Sequence, residues 1–247
     1  MSETLADDVV GVIQHLGLKS FVLVGHSMGA KVALLLAARR PEGLTSLVLI
    51  APAPPVSPGA PQERRQVMLA AYQSREGVEA ALGRLAAMPL SQAHREQVIE
   101  DSLSGAAEAK RVWPERDMTR NIANEAAKIL VPVHMLVGDA DTIETESSLR
   151  AGFSGVLPVT EIGILTGVGR LAPSGNTNDQ VLFDIVGIRS GTRCSVTRRT
   201  ARRSAAPARR AAASASDCAR CRCICGYGGD MAAWYRALRR GAHRSLA

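Results

Sequence analysis

A short apolar run, Phe21-Val22-Leu23-Val24, ends in Gly25-His26-Ser27-Met28-Gly29 and passes straight into Lys31–Arg40, which reads as a helix. Strand, tight turn, helix is the context that turns a Gly-x-Ser-x-Gly pattern into a nucleophile elbow, where a serine is lifted above the end of a sheet. In such a turn Ser27 occupies a strained backbone conformation, and Gly25 and Gly29 let neighbouring backbone pass without a Cβ clash. The backbone N–H of Met28 then points to where an oxyanion would form. A bare Gly-x-Ser-x-Gly also arises by chance in a chain rich in glycine and alanine; the flanking strand and helix are what favour the elbow.

The segments around this corner alternate in the same way. Leu5, Val9, Val12, Ile13 and Leu16 share one helical face, and Gly17 can end that helix. Ser46–Ile50 reads as a buried strand closed by Ala51-Pro52-Ala53-Pro54-Pro55. Strand, helix, strand implies a parallel crossover, with helices over both faces of the sheet. From Pro52 to about Lys128 no strand-like run is present; helical patterns cover Arg64–Gln73, Gly77–Met88 and Ala93–Ser104, with a further helix near Met118–Lys128. Val131–Val137 is the next strand, with Gly138-Asp139-Ala140-Asp141 after it. Thr160–Leu165 is a last strand, leading into Thr166-Gly167-Val168-Gly169-Arg170-Leu171, and Asp179–Ile188 could form a closing helix.

On these motifs, residues 5 to about 188 resemble the later part of an α/β-hydrolase of the esterase/lipase-like type. The resemblance implies an α/β fold, a partial α/β-hydrolase whose parallel sheet lacks its early strands. It implies an elbow part over 1–51, a helical cap inserted over 52–128, and the C-terminal part of the core over 129–188. Ser27 would be the nucleophile and Met28 N–H an oxyanion donor. The family's acid follows the strand in a Gly-x-x-Asp pattern, which lands on Asp141, with Asp139 as the runner-up; Gly-Asp-x-Asp is also ordinary turn chemistry. The cap would help choose the substrate. Met68, Tyr72, Leu85, Met88 and Trp113 are candidate pocket residues, although apolar helix residues equally serve as plain core. His15, His94 and His134 read as structural or surface residues.

The departure from the family lies at residue 170. The loop after the last strand typically carries the catalytic histidine, in a Gly-x-Gly-His-Leu pattern, and here Arg170 stands there. A guanidinium has only donors and stays protonated, so it cannot take the Ser27 proton; pairing with Asp141 is expected instead. The family's second oxyanion donor comes from an early loop near a His-Gly motif, and no such segment is seen in this chain. One edge of the elbow strand is therefore expected to lack its usual partner, which invites aggregation or pairing with another chain.

Charge separates the body from the tail. Residues 1–188 hold 16 Lys+Arg and 21 Asp+Glu, whereas 189–247 hold 14 arginines and 2 acidic residues. The Arg/Ala/Ser-rich run Arg189–Ser216 has no periodic apolar pattern and is expected to be disordered; only Met231–Leu238 reads as a short helix. All five cysteines lie in this tail, and Cys218, Cys221, Cys223 and Cys225 crowd more tightly than paired zinc knuckles do. Arginine without interleaved aromatics gives only unspecific attraction for nucleic acid. The abrupt change of composition resembles GC-rich DNA translated out of frame. No secretory pattern and no run of roughly 18 apolar residues is present, so a cytoplasmic location is the expectation.

Two functional classes follow. The first is a serine carboxylic-ester hydrolase, or a related acyl hydrolase, acting without cofactor or metal on a small ester-like substrate and impaired at its base. The second is a non-catalytic binding or assembly protein on the same fold, with a basic tail for acidic partners. Neither requires a membrane or a specific nucleic acid, and self-association through the open sheet edge suits either.

Overall fold

The computed structural model describes residues 1–56, 61–157, 159 and 161–171. The closing helix expected at 179–188, the arginine-rich tail with its cysteines and the short helix expected at 231–238 lie outside the described residues.

Helix α1 (Ser2–His15) leads through Gly17 into strand β1 (Phe21–His26), and helix α2 (Met28–Ala38) follows after the single residue Ser27. Strand β2 (Leu44–Ile50) closes this first crossover. Helices α3 (Gln62–Ala71), α4 (Arg75–Leu85), α5 (Gln92–Ser104), α6 (Ala107–Val112) and α7 (Ala123–Ala126) are inserted before strand β3 (Val133–Gly138). Helix α8 (Glu146–Phe153) then carries the chain to strand β4 (Glu161–Leu165). The described strands form one parallel sheet in the order β1-β2-β3-β4. Among the described residues β1 therefore pairs on one side only, and the strand carrying the elbow is an edge.

Alternation along the strands divides the core. Leu47, Leu49, Val133, Met135 and Val137 face Ala30, Ala33, Leu34 and Ala37 of α2, with Ile122, Ala126, Leu149 and Phe153. Val48, Ile50, Leu136 and Leu165 form a smaller cluster on the opposite face. Helix α2 is buried from Ala30 to Ala37 because α1 covers its outer side through Ala6, Ile13, Val32 and Leu36. The inserted helices keep a core of their own in Val78, Leu82 and Ile99.

Three differences from the expected elements have local causes. The helix expected near 118–128 shrinks to Ala123–Ala126, and a π-helical turn, Trp113–Asp117, precedes it. The carbonyls of Asp117 and Met118 accept Lys31 Nζ at 3.0 and 3.1 Å, which takes them out of any helical ladder, while Asn121 Oδ1 caps Ala123 N–H at 2.9 Å. Helix α8 carries a signal that is visible in retrospect. Thr145 Oγ1 caps Ser148 N–H at 3.2 Å, and Leu149 and Phe153, four residues apart, are both buried. The third concerns the glycines. A Cβ on Gly25 would sit 2.7 Å from Ala30 Cα and 2.8 Å from Ala33 Cβ, so α2 can cross β1 this closely only over glycine. On Gly29 it would meet nothing within 4 Å among the described residues, so the close-approach role expected of both glycines belongs to Gly25 alone.

Candidate active site

Ser27 joins β1 to α2 with φ 51° and ψ −117°, a backbone conformation that L-residues rarely adopt. The surrounding ladder holds it there. Ser27 N–H donates to Ile50 O at 3.0 Å, and Ser27 O accepts Ala30 N–H at 3.1 Å and Ala53 N–H at 3.0 Å. Met28 opens α2, so its N–H belongs to the first-turn donors that have no intrahelical acceptor. The helix end adds partial positive charge beside the Ser27 hydroxyl.

Asp141 and Arg170 meet at this corner. Asp141 is 4% exposed and its Oδ1 accepts the N–H groups of Ile143 (2.8 Å) and Glu144 (3.3 Å), a turn formed by the carboxylate itself. Its Oδ2 pairs with Arg170 Nη1 at 3.2 Å. Arg170, 7% exposed, donates from Nε to Ser27 Oγ at 3.2 Å. One guanidinium thus bridges the serine hydroxyl and the buried carboxylate. Burial lowers the Arg170 guanidinium from its ordinary value, against the opposing pull of Asp141 and Glu144; an arginine nonetheless stays charged at neutral pH.

Asp139 does something else. Its Oδ1 accepts Gly167 N–H at 2.7 Å at an exposed position, while Asp139 N–H donates to Leu165 O and Ala140 N–H to Val168 O, both at 3.1 Å. These bonds fix the loop that carries Arg170. A Cβ on Gly138 would lie 2.0 Å from Val168 O, so the two loops touch only because residue 138 has no side chain. Of the two aspartates, Asp141 is the one in contact with Arg170.

His26 is the imidazole next in sequence to Ser27, and its Nε2 donates to Arg170 O at 2.8 Å. Burial pushes it below its ordinary value, while that carbonyl bond and the Asp141 charge work the other way and the Arg170 charge adds to the lowering. It holds the loop backbone. Among the described residues no imidazole is hydrogen bonded to Ser27 Oγ. His15 and His94 are exposed, and His134 lies along β3 opposite Glu161.

A cavity of about 280 Å³ opens in front of Ser27 and Met28. Met68, Tyr72, Leu85 and Trp113 line it, together with Arg170. Met88, the fifth residue considered for the pocket, is 53% exposed and lines a separate depression beside Leu90 and Arg95 instead. Helix α4 turns away after Leu85, whose carbonyl accepts Leu171 N–H at 3.2 Å, and this contact brings the insertion down onto the loop of Arg170. Arg64, Arg84 and Glu144 also face the cavity. Nothing in the sequence pattern distinguishes them from solvated surface charges, so they carry no signal before the fold is known.

Residues 2–125 match the family model described as the alpha/beta hydrolase fold. The chain belongs to the α/β-hydrolase fold family. The four parallel strands among its described residues, with a helical insertion between β2 and β3, are a partial version of that fold. Over 48 residues, 19% of this chain, it is 48% identical to the sn-1-specific diacylglycerol lipase ABHD11 of Mus musculus. That stretch spans 16% of the lipase's length. Among solved structures it is similar to a bacterial membrane phospholipase A, with a TM-score of 0.62 at 24% identity, covering 76% of this chain and 64% of that one. It is also similar to the carboxylesterase CesB of Bacillus subtilis, with a TM-score of 0.62 at 19% identity, covering 75% of this chain and 65% of that one. At these identities the structural likenesses show the fold. No helix among the described residues is long and apolar enough to cross a membrane.

Proposed function

We propose that this chain is an α/β-hydrolase of serine carboxylic-ester, or related acyl, hydrolase ancestry in which Arg170 stands where the catalytic histidine belongs, so that it turns over esters weakly or not at all on its own. Ser27 is the vestigial nucleophile, Met28 N–H the oxyanion donor and Asp141 the acid of the former triad. Residues 52–128 act as the cap over this site, between core segments 1–51 and 129–188.

One observation carries the reading: Arg170 Nε donates to Ser27 Oγ at 3.2 Å while its Nη1 holds Asp141. A serine nucleophile needs a neighbour that accepts its proton. Arg170 has no lone pair to offer. Removing the histidine from a serine triad costs on the order of 10⁶ in kcat, which takes an ordinary esterase close to background. The experiment is to assay p-nitrophenyl butyrate hydrolysis by the wild-type protein and by Arg170→His and Ser27→Ala variants. Wild-type turnover that Ser27→Ala abolishes and that matches an ordinary esterase would defeat the proposal.

The second reading is a non-catalytic binding or assembly protein. The donor-only contact on Ser27 favours it, because a hydroxyl held this way suits recognition better than attack. Self-association through the open edge of β1 belongs to the same reading, since unpaired strand groups template pairing with another chain. Sedimentation velocity showing monomer at every concentration counts against that part.

A further inference from the structure

The polarity of the hydrogen bonds around Ser27 says what the cavity is suited to hold. We propose that it binds a small monocarboxylate with an apolar tail: the carboxylate lies at the Ser27 hydroxyl and Met28 N–H, countered by Arg64 and Arg84, and the tail against Met68, Tyr72, Leu85 and Trp113. The proposal rests on the reading that Arg170 leaves Ser27 without a base, and it names the ligand class for the same site.

A guanidinium nitrogen only donates. The Arg170 Nε contact at 3.2 Å therefore occupies a lone pair of Ser27 Oγ and leaves the hydroxyl proton free to be donated. In a serine hydrolase that proton goes to imidazole. Here Ser27 Oγ makes no other hydrogen bond among the described residues. Met28 N–H is a second donor, at the positive end of the eleven-residue helix α2. Two donors converge on one end of the cavity, and the complementary ligand group is an acceptor.

Charge selects which acceptor. Arg170 is matched by Asp141. Arg64 and Arg84 line the cavity and form no ion pair among the described residues. Glu144, whose Oε2 accepts a hydrogen bond from Ser148 Oγ at 3.1 Å, also lines the cavity and brings one negative charge to it. One positive charge is left for the ligand, which fits a carboxylate better than a phosphate dianion. The cavity, at about 280 Å³, falls just below the roughly 300–1,000 Å³ of most small-molecule sites, so a short-chain acid fits the space.

The test is calorimetric titration of the full-length protein with hexanoate, 1-hexanol and methyl hexanoate, with ester hydrolysis followed in the same samples. Hexanoate is expected to bind at least about tenfold more tightly than 1-hexanol, the worth of one hydrogen bond to a charged group. Arg64→Gln combined with Arg84→Gln is expected to erase that preference and leave 1-hexanol unaffected. Equal binding of acid and alcohol, no heat at millimolar hexanoate, or a preference that survives the double substitution would overturn the proposal. If the double variant does not fold, the acid-to-alcohol ratio of the wild-type protein decides alone. Brisk hydrolysis of methyl hexanoate defeats the base-less reading instead; failure to bind hexanoate without hydrolysis defeats only the ligand assignment.

Discussion

Arg170 Nε lies 3.2 Å from Ser27 Oγ, and the bond runs from the arginine to the serine. That direction is opposite to the one ester hydrolysis needs, in which the serine gives its proton away. The consequences extend to activity, to the stability of the buried pair and to the way the insertion is held.

Arg170→His returns an acceptor to the position between Ser27 and Asp141. A positioned general base contributes about 10²–10⁴ in rate. The variant should hydrolyse p-nitrophenyl butyrate at least about 10²-fold faster than the wild-type protein, measured as kcat/KM, and Ser27→Ala in the same background should remove the gain. No gain in a folded variant would show that another element of the machinery limits the rate.

Arg170→Gln leaves the buried Asp141 with two of its three partners. Breaking a buried pair from one side costs about 3–5 kcal/mol, and the Ile143 and Glu144 N–H groups that remain on Asp141 place the expected loss near the lower bound. Adding Asp141→Asn should cost less than the sum of the two single changes. Urea denaturation of the four proteins measures the coupling; strict additivity would mean that the pair is not formed.

Gly25→Ala and Gly29→Ala make a controlled comparison within one motif. A methyl group at residue 25 meets α2 backbone at 2.7 Å, whereas at residue 29 it meets nothing within 4 Å. The first should destabilise by about 1–3 kcal/mol or more through overpacking. The second, in the first turn of a helix, should be neutral or stabilising by up to about 1 kcal/mol. Thermal denaturation of the two variants checks the order.

Lys31 and Asp117 make stability rise with pH in two separate ranges where the insertion meets α1 and α2. Burial is the largest influence on Asp117 and works against its charge, but the N–H and hydroxyl of Ser2 at 2.7 and 2.8 Å, with Arg116 and the terminal amine, outweigh it and hold the carboxyl at about 2, below its ordinary 3.8. Its contribution to stability is complete above about pH 4 and is lost as pH falls toward 2, because the unfolded chain takes up the proton first. Burial brings Lys31 down to about 8 from 10.5, with Asp117 opposing and Arg120 assisting. Between those values the unfolded chain binds more protons, so stability should rise from pH 8 to about 10.5. Urea midpoints across the two ranges test both rises, with Asp117→Asn and Lys31→Met expected to flatten the acid and alkaline limbs respectively.

The elbow was legible because its chemistry is local: a strand, a serine flanked by glycines, and a helix lie within some twenty consecutive residues. The Arg170–Asp141 pair was legible too, since loop order brings those two loops together and a cation beside a buried carboxylate has little choice. What the sequence did not disclose depends on contacts across the fold. Lys31 reads as an ordinary helix residue until Asp117 and Met118 present their carbonyls to it, and the same contact undoes the helix expected at 118–128. Arg64, Arg84 and Glu144 come from three separate elements and meet only around the cavity. His26 could have been noticed beside Ser27, but its bond to Arg170 O spans 144 positions in the chain. Met88 was misplaced because helical periodicity does not say where α4 stops.

Labelling of Ser27 in the wild-type protein by a serine-directed fluorophosphonate, followed by intact-protein mass spectrometry at neutral pH, tests the central claim most directly. The probe reports activation of the hydroxyl and nothing about the substrate. With Arg170 donating to Ser27, the rate of adduct formation should match that of the Ser27→Ala variant. Stoichiometric labelling of Ser27 within minutes would contradict the account.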